Sequence, residues 1–168
     1  SNAARYFTKR ASAEIDLINL PFPGSDANEF IERILGACTS RTRLLLIDHI
    51  TSPTALIMPL EEIVPAVQQR GIQVLVDGAH APGMVPLGLT DLGADYYTGN
   101  CHKWMCAPKG TAFLYIKPEH QLELHPLTIS HGMNRPVGDS TRFRLEFDWV
   151  GTRDLTGFLT LPALIEYM

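Results

Sequence analysis

The chain has little with which to hold itself in a membrane, in an oxidising compartment or on nucleic acid. No apolar run approaches the roughly 20 residues that span a bilayer. The first residues show no charged stretch leading into an apolar one, as an export signal would. A cytoplasmic address and no membrane partner are the expectation. There are 3 cysteines, an odd number, and Cys101 and Cys106 lack a second pair at zinc-ligand spacing. Reduced thiols and no bound metal follow. Charge is also sparse: 14 Lys and Arg stand against 18 Asp and Glu for a net −4, and the basic residues are scattered. That balance supplies no basic field and argues against nucleic acid as the main partner. Repeats and low-complexity tracts are absent.

What is there is an ordinary globular composition, 45% hydrophobic over 168 residues, enough for one domain with a real core. Ser1-Asn2-Ala3 reads as the remnant of a cleaved purification tag and is set aside, leaving residues 4–168 as the domain. Residues 14–20 read as a short strand, ended by the proline-rich turn Pro21-Phe22-Pro23-Gly24-Ser25. Asp26 caps a helix through about Cys38, with Phe30, Ile31, Ile34 and Leu35 on one face.

Leu44-Leu45-Leu46-Ile47-Asp48 is uniformly apolar before its acid, as a parallel strand covered on both faces would be. A hydroxyl-rich loop, His49 to Thr54, follows. Pro59 starts the next helix with Glu61 and Glu62 at its positive end, and Gly71 closes it with a left-handed cap. Ile72 to Val76 is the next buried strand and Asp95 to Thr98 another. Gly110 to Ile116 is a strand too close to Lys103 for an intervening helix, so it should return antiparallel. Residues 119–148 read as irregular, and 155–168 as one apolar helix. Alternating strands and helices predict an α/β fold, a mostly parallel sheet with helices on both faces, whose ligands collect beyond the carboxyl ends of the strands.

Three polar clusters sit at such ends: His49 to Thr54, Asp77 to His80, and Thr98 to Lys103. A free lysine amine is mostly protonated at neutral pH, and it becomes a nucleophile only where burial or neighbours release that proton. Lys103, between His102 and Trp104 at a strand end, stands where a sheet partly buries it. Asp77 closes the apolar Val74-Leu75-Val76, and a carboxylate there needs a cation or several donors. One crossover and a strand separate the two, so adjacent strands would bring them to one edge.

Asp77-Gly78-Ala79-His80-Ala81-Pro82-Gly83, then Leu92-Gly93-Ala94-Asp95-Tyr96-Tyr97-Thr98-Gly99-Asn100, His102-Lys103-Trp104 and Ala107-Pro108-Lys109-Gly110-Thr111 together resemble the class V aminotransferase family. Asp48-His49-Ile50-Thr51-Ser52-Pro53 and Gly151-Thr152-Arg153-Asp154 match in order, and the likeness runs from about Asp16 to the last residue. Within the family the sequence is most similar to isopenicillin N epimerase-like and cysteine desulfurase-like proteins. The resemblance implies the fold-type I large domain of aspartate aminotransferase-like enzymes and pyridoxal 5'-phosphate as cofactor.

It further implies that Lys103 carries the cofactor as a Schiff base and later moves the proton. Asp77 would pair with the pyridine nitrogen and His80 would lie near the phenolic oxygen. Ser52 falls at a cofactor-contacting position that is often Asn, and Asn100 and His102 match phosphate contacts. Thr152 lies in the segment that reaches the neighbouring subunit's phosphate, which implies a homodimer. The substrate would be an amino acid or a small amine, attacked at its α-carbon. The alternatives are a cysteine desulfurase or selenocysteine lyase-like parent, or an inert binding and assembly module that keeps the fold. Full members are about twice this long, a large and a small domain. The chain therefore reads as an excised large-domain core, expected to bind cofactor weakly and turn over little. His131 is either solvated or near the site. Cys101 and Cys106 read as small buried packing residues before ligands or nucleophiles, and Arg153 either binds a carboxylate or braces Asp154.

Overall fold

The computed structural model describes residues 2–22 and 26–168, and the chain divides into two compact units, Ser1–Arg43 and Leu44–Met168. In the first, the regular elements are α1 (Asn2–Arg10) and α2 (Ala27–Ala37). Asp26 caps α2 as its sequence suggests, its Oδ1 accepting the Asn28 N–H at 3.0 Å and so satisfying one amide left open at a helix start. Phe30 and Ile34, one turn apart, are both buried. Asn2 and Ala3, set aside above, form the first turn of α1. The strand expected over 14–20 does not form: those residues lack regular structure, and Ile15 and Leu17 are exposed. A lone extended segment has no ladder to join, which is why alternation alone did not make it a strand. Of the proline-rich turn, Pro23, Gly24 and Ser25 lie outside the described residues.

The second unit is built on a sheet of β1 (Leu44–Asp48), β2 (Gln73–Gly78), β3 (Tyr96–Asn100) and β4 (Ala112–Ile116), in that order across the sheet. The first three run parallel. The fourth returns antiparallel to β3, because residues 101–111 are too few for a crossover helix. Between β1 and β2, α3 (Leu60–Gln68) buries Leu60, Ile63, Val64 and Val67 and packs against β2. Its C-cap is Gln69 in right-handed backbone, and the left-handed residue expected as its cap, Gly71 with φ 72°, lies two residues further on, where it ends the turn that follows. The second crossover holds only the short α4 (Leu89–Leu92).

Val74, Val76 and Tyr97, on one sheet face, are 0% exposed, and burial of such side chains is worth about 1.5–3 kcal/mol each. The other face is more open at β1, where Leu44 and Leu46 stay 47% and 46% exposed while Leu45 and Ile47 are buried. The uniformly apolar strand is thus covered on one side within this chain.

Beyond β4 the segment read as irregular contains 3-10 turns at Pro118–Glu123 and His131–Met133 and a true helix, α5 (Arg142–Asp148). Thr141 caps it by accepting the Arg144 N–H at 3.1 Å, and Phe143 and Phe147, at i,i+4, meet at a tilt with ring centroids 4.5 Å apart. The last apolar stretch is two helices, α6 (Thr156–Leu159) and α7 (Leu161–Tyr167). Pro162 sits in the first turn of α7, where its missing N–H costs nothing, but it disfavours helix in the residue before it.

A buried acid ties the amino-terminal side of the sheet together. Asp95 is 6% exposed, and Oδ2 accepts from Gln68 Nε2 and the Val74 N–H, both at 2.8 Å. Oδ1 meets His120 Nε2 at 3.0 Å and Lys117 Nζ at 3.6 Å. Burial alone would push this carboxyl up, yet the bonds from Gln68, Val74 and His120 and the charge of Lys117 outweigh it and hold the group below its ordinary 3.8. The depressed value means stability is full above about pH 4 and is lost as pH falls through the folded value. Asp95→Asn should cost about 1–3 kcal/mol at neutral pH, since the buried donors lose a charged acceptor. Urea unfolding from pH 6 to 3 should then show a shallower acid decline in the variant than in the parent.

Candidate active site at the strand ends

The register sets the site. Asp48 pairs with Asp77 and Asp77 with Thr98 across the three parallel strands, so their carboxyl ends lie side by side and the loops that follow converge. Directly paired residues share a face, which places the Asp48 and Asp77 side chains together. Partial burial and the charge of Asp77 push the Asp48 carboxyl above its usual range, against a smaller downward pull from His80. An N–H donor or cation between these acids would relieve them.

Two glycines let the loops close. An added Cβ on Gly78 would fall 2.2 Å from the Tyr97 ring. One on Gly83, where φ is +85°, would fall 2.7–2.8 Å from the backbone of Trp104 and Met105. The loop after β2 therefore presses its own backbone against the loop after β3. Across that contact Lys103 Nζ lies 3.1 Å from His80 Nε2, and the Trp104 indole N–H donates to His80 Nδ1 at 3.3 Å. Asp77 Oδ1 accepts the Ala79 N–H at 3.1 Å, shaping the start of that loop. Lys103, His80 and Asp77 are each half-buried.

His102 Nδ1 lies 2.9 Å from the Thr111 carbonyl; the carbonyl can only accept, so Nδ1 carries a proton. Asn100 ends β3 on the same face as Asp77 and Thr98. Ser52 and Thr152 are exposed, and no bond joins either of them to the Lys103 cluster among the described residues. Among the described residues no bond joins Arg153 to Asp154. Its guanidinium lies 5.1 Å from the centre of the Phe158 ring, while Asp154 Oδ1 accepts from the Thr156 N–H and hydroxyl at 2.9 and 2.7 Å. His131 is exposed and lines a cavity of about 420 Å³ with Arg135, Arg144 and Trp149, to which the Lys103 cluster contributes no side chain. Cys101 is buried and its thiol is pushed up by that burial, as expected of a packing residue. Cys106 departs from the expectation: it is exposed and holds a left-handed φ of 59°, because the loop must turn back sharply after Lys103. No cluster able to hold a metal is found among the described residues.

One pair beside the site was not read from the sequence. Tyr97 is 0% exposed and its hydroxyl lies 2.8 Å from His49 Nδ1. Burial, reinforced by Asp77, pushes the phenol far above its ordinary range, so it stays protonated within this contact. The ends of β1 and β3, on either side of β2 in an α/β sheet, are the only sequence signal for that contact.

The family model for class V aminotransferases matches residues 1–168, and the chain belongs to the aminotransferase class-V family. Among curated relatives it is 34% identical to a probable L-cysteine desulfhydrase, chloroplastic, of Arabidopsis thaliana, over 96% of this chain and 35% of that protein. It is 36% identical to the isopenicillin N epimerase of Streptomyces clavuligerus, over 95% of this chain and 42% of that one. The chain thus spans well under half the length of either. In fold it matches an apo cysteine desulfurase from Thermococcus onnurineus NA1, with TM-score 0.78, 24% identity and coverage of 98% of this chain and 41% of that chain. It also matches a C-DES mutant with glycine covalently linked to its PLP cofactor, with TM-score 0.79, 24% identity and coverage of 99% and 45%. These likenesses bear out the α/β, mostly parallel aspartate aminotransferase-like fold.

Burial lowers the affinity of His49 for a proton, against a smaller opposite effect of Glu61. The unfolded chain takes up that proton near 6.5 while the folded protein resists it, so stability is full above about pH 6.5 and falls as pH drops toward the folded value. Thermal midpoints measured between pH 7.5 and 5 should decline in the parent and stay nearly flat in His49→Gln.

Proposed function

We propose that the protein containing this chain is a pyridoxal 5'-phosphate-dependent enzyme acting on an amino acid or small amine, with Lys103 as its catalytic residue. The observation that carries this reading is the amine of Lys103 held 3.1 Å from the His80 ring at the carboxyl ends of the strand bearing Asp77 and its neighbour. The donor set fits the cofactor: one amine for its aldehyde, one carboxylate for its ring nitrogen, and an imidazole between. The crowding of Asp48 by Asp77 further favours a protonated ring nitrogen there.

Bound at this place, the cofactor supplies an electron sink that stabilises negative charge at the substrate's α-carbon. The chain's own residues do the rest. Lys103 would hold the cofactor through its aldehyde carbon and, as a free amine, would take and return a proton at the substrate's α-carbon. Asp77 keeps the ring nitrogen protonated. His80 donates to the phenolic oxygen. Asn100 and His102 would hold the phosphate; with Nδ1 committed to Thr111, His102 has Nε2 left for it. Ser52 contributes from the loop after β1. Thr152 reaches the phosphate of a second copy, so the working form is a homodimer.

Whether the α-carbon loses a proton for epimerisation or transamination, or the substrate loses sulfur, depends on parts of the protein outside this chain. Both curated relatives named above fit these residues. The inert-module reading is weakened by the retention of Lys103 and Asp77 together.

Pyridoxal phosphate added to the full-length protein should give an absorbance band near ~420 nm, the usual range of the lysine-bound cofactor. Lys103→Ala should abolish the band. Its persistence in Lys103→Ala would overturn the assignment, and Asp77→Ala should weaken cofactor retention about tenfold or more.

A further inference from the structure

Thr111, just before β4, gathers the loop that carries Lys103 onto one oxygen. Its backbone carbonyl accepts the Cys101 N–H at 3.0 Å and the His102 N–H at 3.1 Å, and His102 Nδ1 lies 2.9 Å from the same atom. A carbonyl only accepts, so Nδ1 carries a proton and Nε2 is the ring nitrogen open to a ligand. The main chain and the ring of His102 therefore hang on one acceptor, and where that acceptor points decides where the imidazole points.

The side chain of the same residue holds the carbonyl in place. Thr111 is 1% exposed, although Pro108, Lys109 and Gly110 before it are exposed. Its hydroxyl donates to the Pro108 carbonyl at 2.7 Å, and its N–H reaches that oxygen at 3.2 Å, closing the turn over 108–111. Gly110, with φ 89°, supplies the left-handed backbone inside the turn. Gly157 of α6 lies over the hydroxyl: an added Cβ would fall 2.7 Å from Thr111 Oγ1 and 3.5 Å from Pro108 Cβ. Valine would serve a strand as well as threonine does, so the buried, bonded hydroxyl is explained by the turn and not by β4.

We propose that Thr111 is a positioning residue for phosphate recognition: its buried hydroxyl sets the 108–111 turn, and the carbonyl so fixed aims His102 Nε2 at the cofactor's phosphate. This rests on the reading of His102 as a phosphate contact. Thr111 acts only through His102.

The test titrates the full-length protein, freed of cofactor, with pyridoxal 5'-phosphate and with pyridoxal, which keeps the ring and aldehyde and lacks the phosphate. The absorbance band of the lysine-bound form is read for each, with Lys103→Ala as the blank for other amines. The ratio of the two affinities isolates what the phosphate contributes. Thr111→Val keeps the shape and removes the hydroxyl. It should lower the ratio about three- to tenfold, the worth of one hydrogen bond, by weakening pyridoxal phosphate and leaving pyridoxal unchanged. Thr111→Ser should keep the parent's ratio. Gly157→Ala presses a methyl onto the hydroxyl while raising helix propensity, so it should lower the ratio without the cost of a lost buried group. An unchanged ratio in Thr111→Val or Gly157→Ala, equal losses for both ligands, or a ratio that Thr111→Ser lowers as far as Thr111→Val does, overturns the proposal. A ratio that falls in His102→Ala and not in Thr111→Val defeats it alone. A ratio unmoved by His102→Ala defeats the phosphate role of His102 as well, and the Lys103 assignment is judged apart from both by loss of the band in Lys103→Ala.

Discussion

Three parallel strands ending in register are the constraint on which the rest depends. Asp48, Asp77 and Thr98 pair across β1, β2 and β3, so the next residues of each strand emerge at one edge within reach of one another. Parallel pairing also forces the chain to cross back after each strand, which leaves the loops at the carboxyl ends free to carry polar groups while the crossovers bury apolar ones. Slipping one strand by a single residue would turn Asp77 to the face of Val74 and Val76 and take His80 away from Lys103. The opposite end resists such a slip. There Asp95 joins Gln68 of α3, the Val74 amide of β2, and Lys117 and His120 beyond β4.

The small residues of the two motifs have a mechanical explanation that precedes any chemistry. Gly78 and Gly99 lie beneath the Tyr97 and Phe113 rings at distances no Cβ could occupy, and those two rings stack with centroids 6.1 Å apart. The aromatic layer under the strand ends therefore needs glycine above it. Gly83 needs its left-handed φ and its missing side chain to let backbone meet backbone at Trp104. The motif that suggested a cofactor is, in its glycines, a packing solution that brings an amine, an imidazole and a carboxylate to one place.

Much of this was legible in the sequence, for reasons that also explain what was not. Buried parallel strands advertise themselves by apolar runs closed by an acid, so β1 and β2 could be read; β3 showed as a short Tyr-rich run before Gly99, and a return too short for a helix made β4 antiparallel. Residues 14–20 had a strand's composition without a partner, a property of pairing that composition does not encode. α5 was hidden by its charges, although Thr141 before Arg142 and the spacing of Phe143 and Phe147 were available signals. Lys103 and Asp77 were found because each is chemically odd at a strand end. The bonds of His80 to both Lys103 and Trp104 join residues on two different loops, and only the sheet register brings those loops together.

The histidines at this edge show when a site settles proton positions by neighbours of fixed character. The Tyr97 hydroxyl, kept protonated by burial, has no other hydrogen-bond partner among the described residues and pairs with His49 Nδ1. The indole of Trp104 donates to His80 Nδ1. Neither ring's tautomer is fixed by these contacts, since a phenol can accept as well as donate and a lysine amine also faces His80 Nε2. His102 is the reverse case: a backbone carbonyl claims a proton from its Nδ1, leaving Nε2 to take a second proton only as the charged imidazolium, the form suited to an anion. An acceptor-only partner costs the fold one hydrogen bond and removes one tautomer from that ring. On this geometry the donors and acceptors around Lys103 are arranged before any ligand arrives, and binding need not reorganise them. That is the condition under which a hydrogen bond aimed at a reacting atom contributes most.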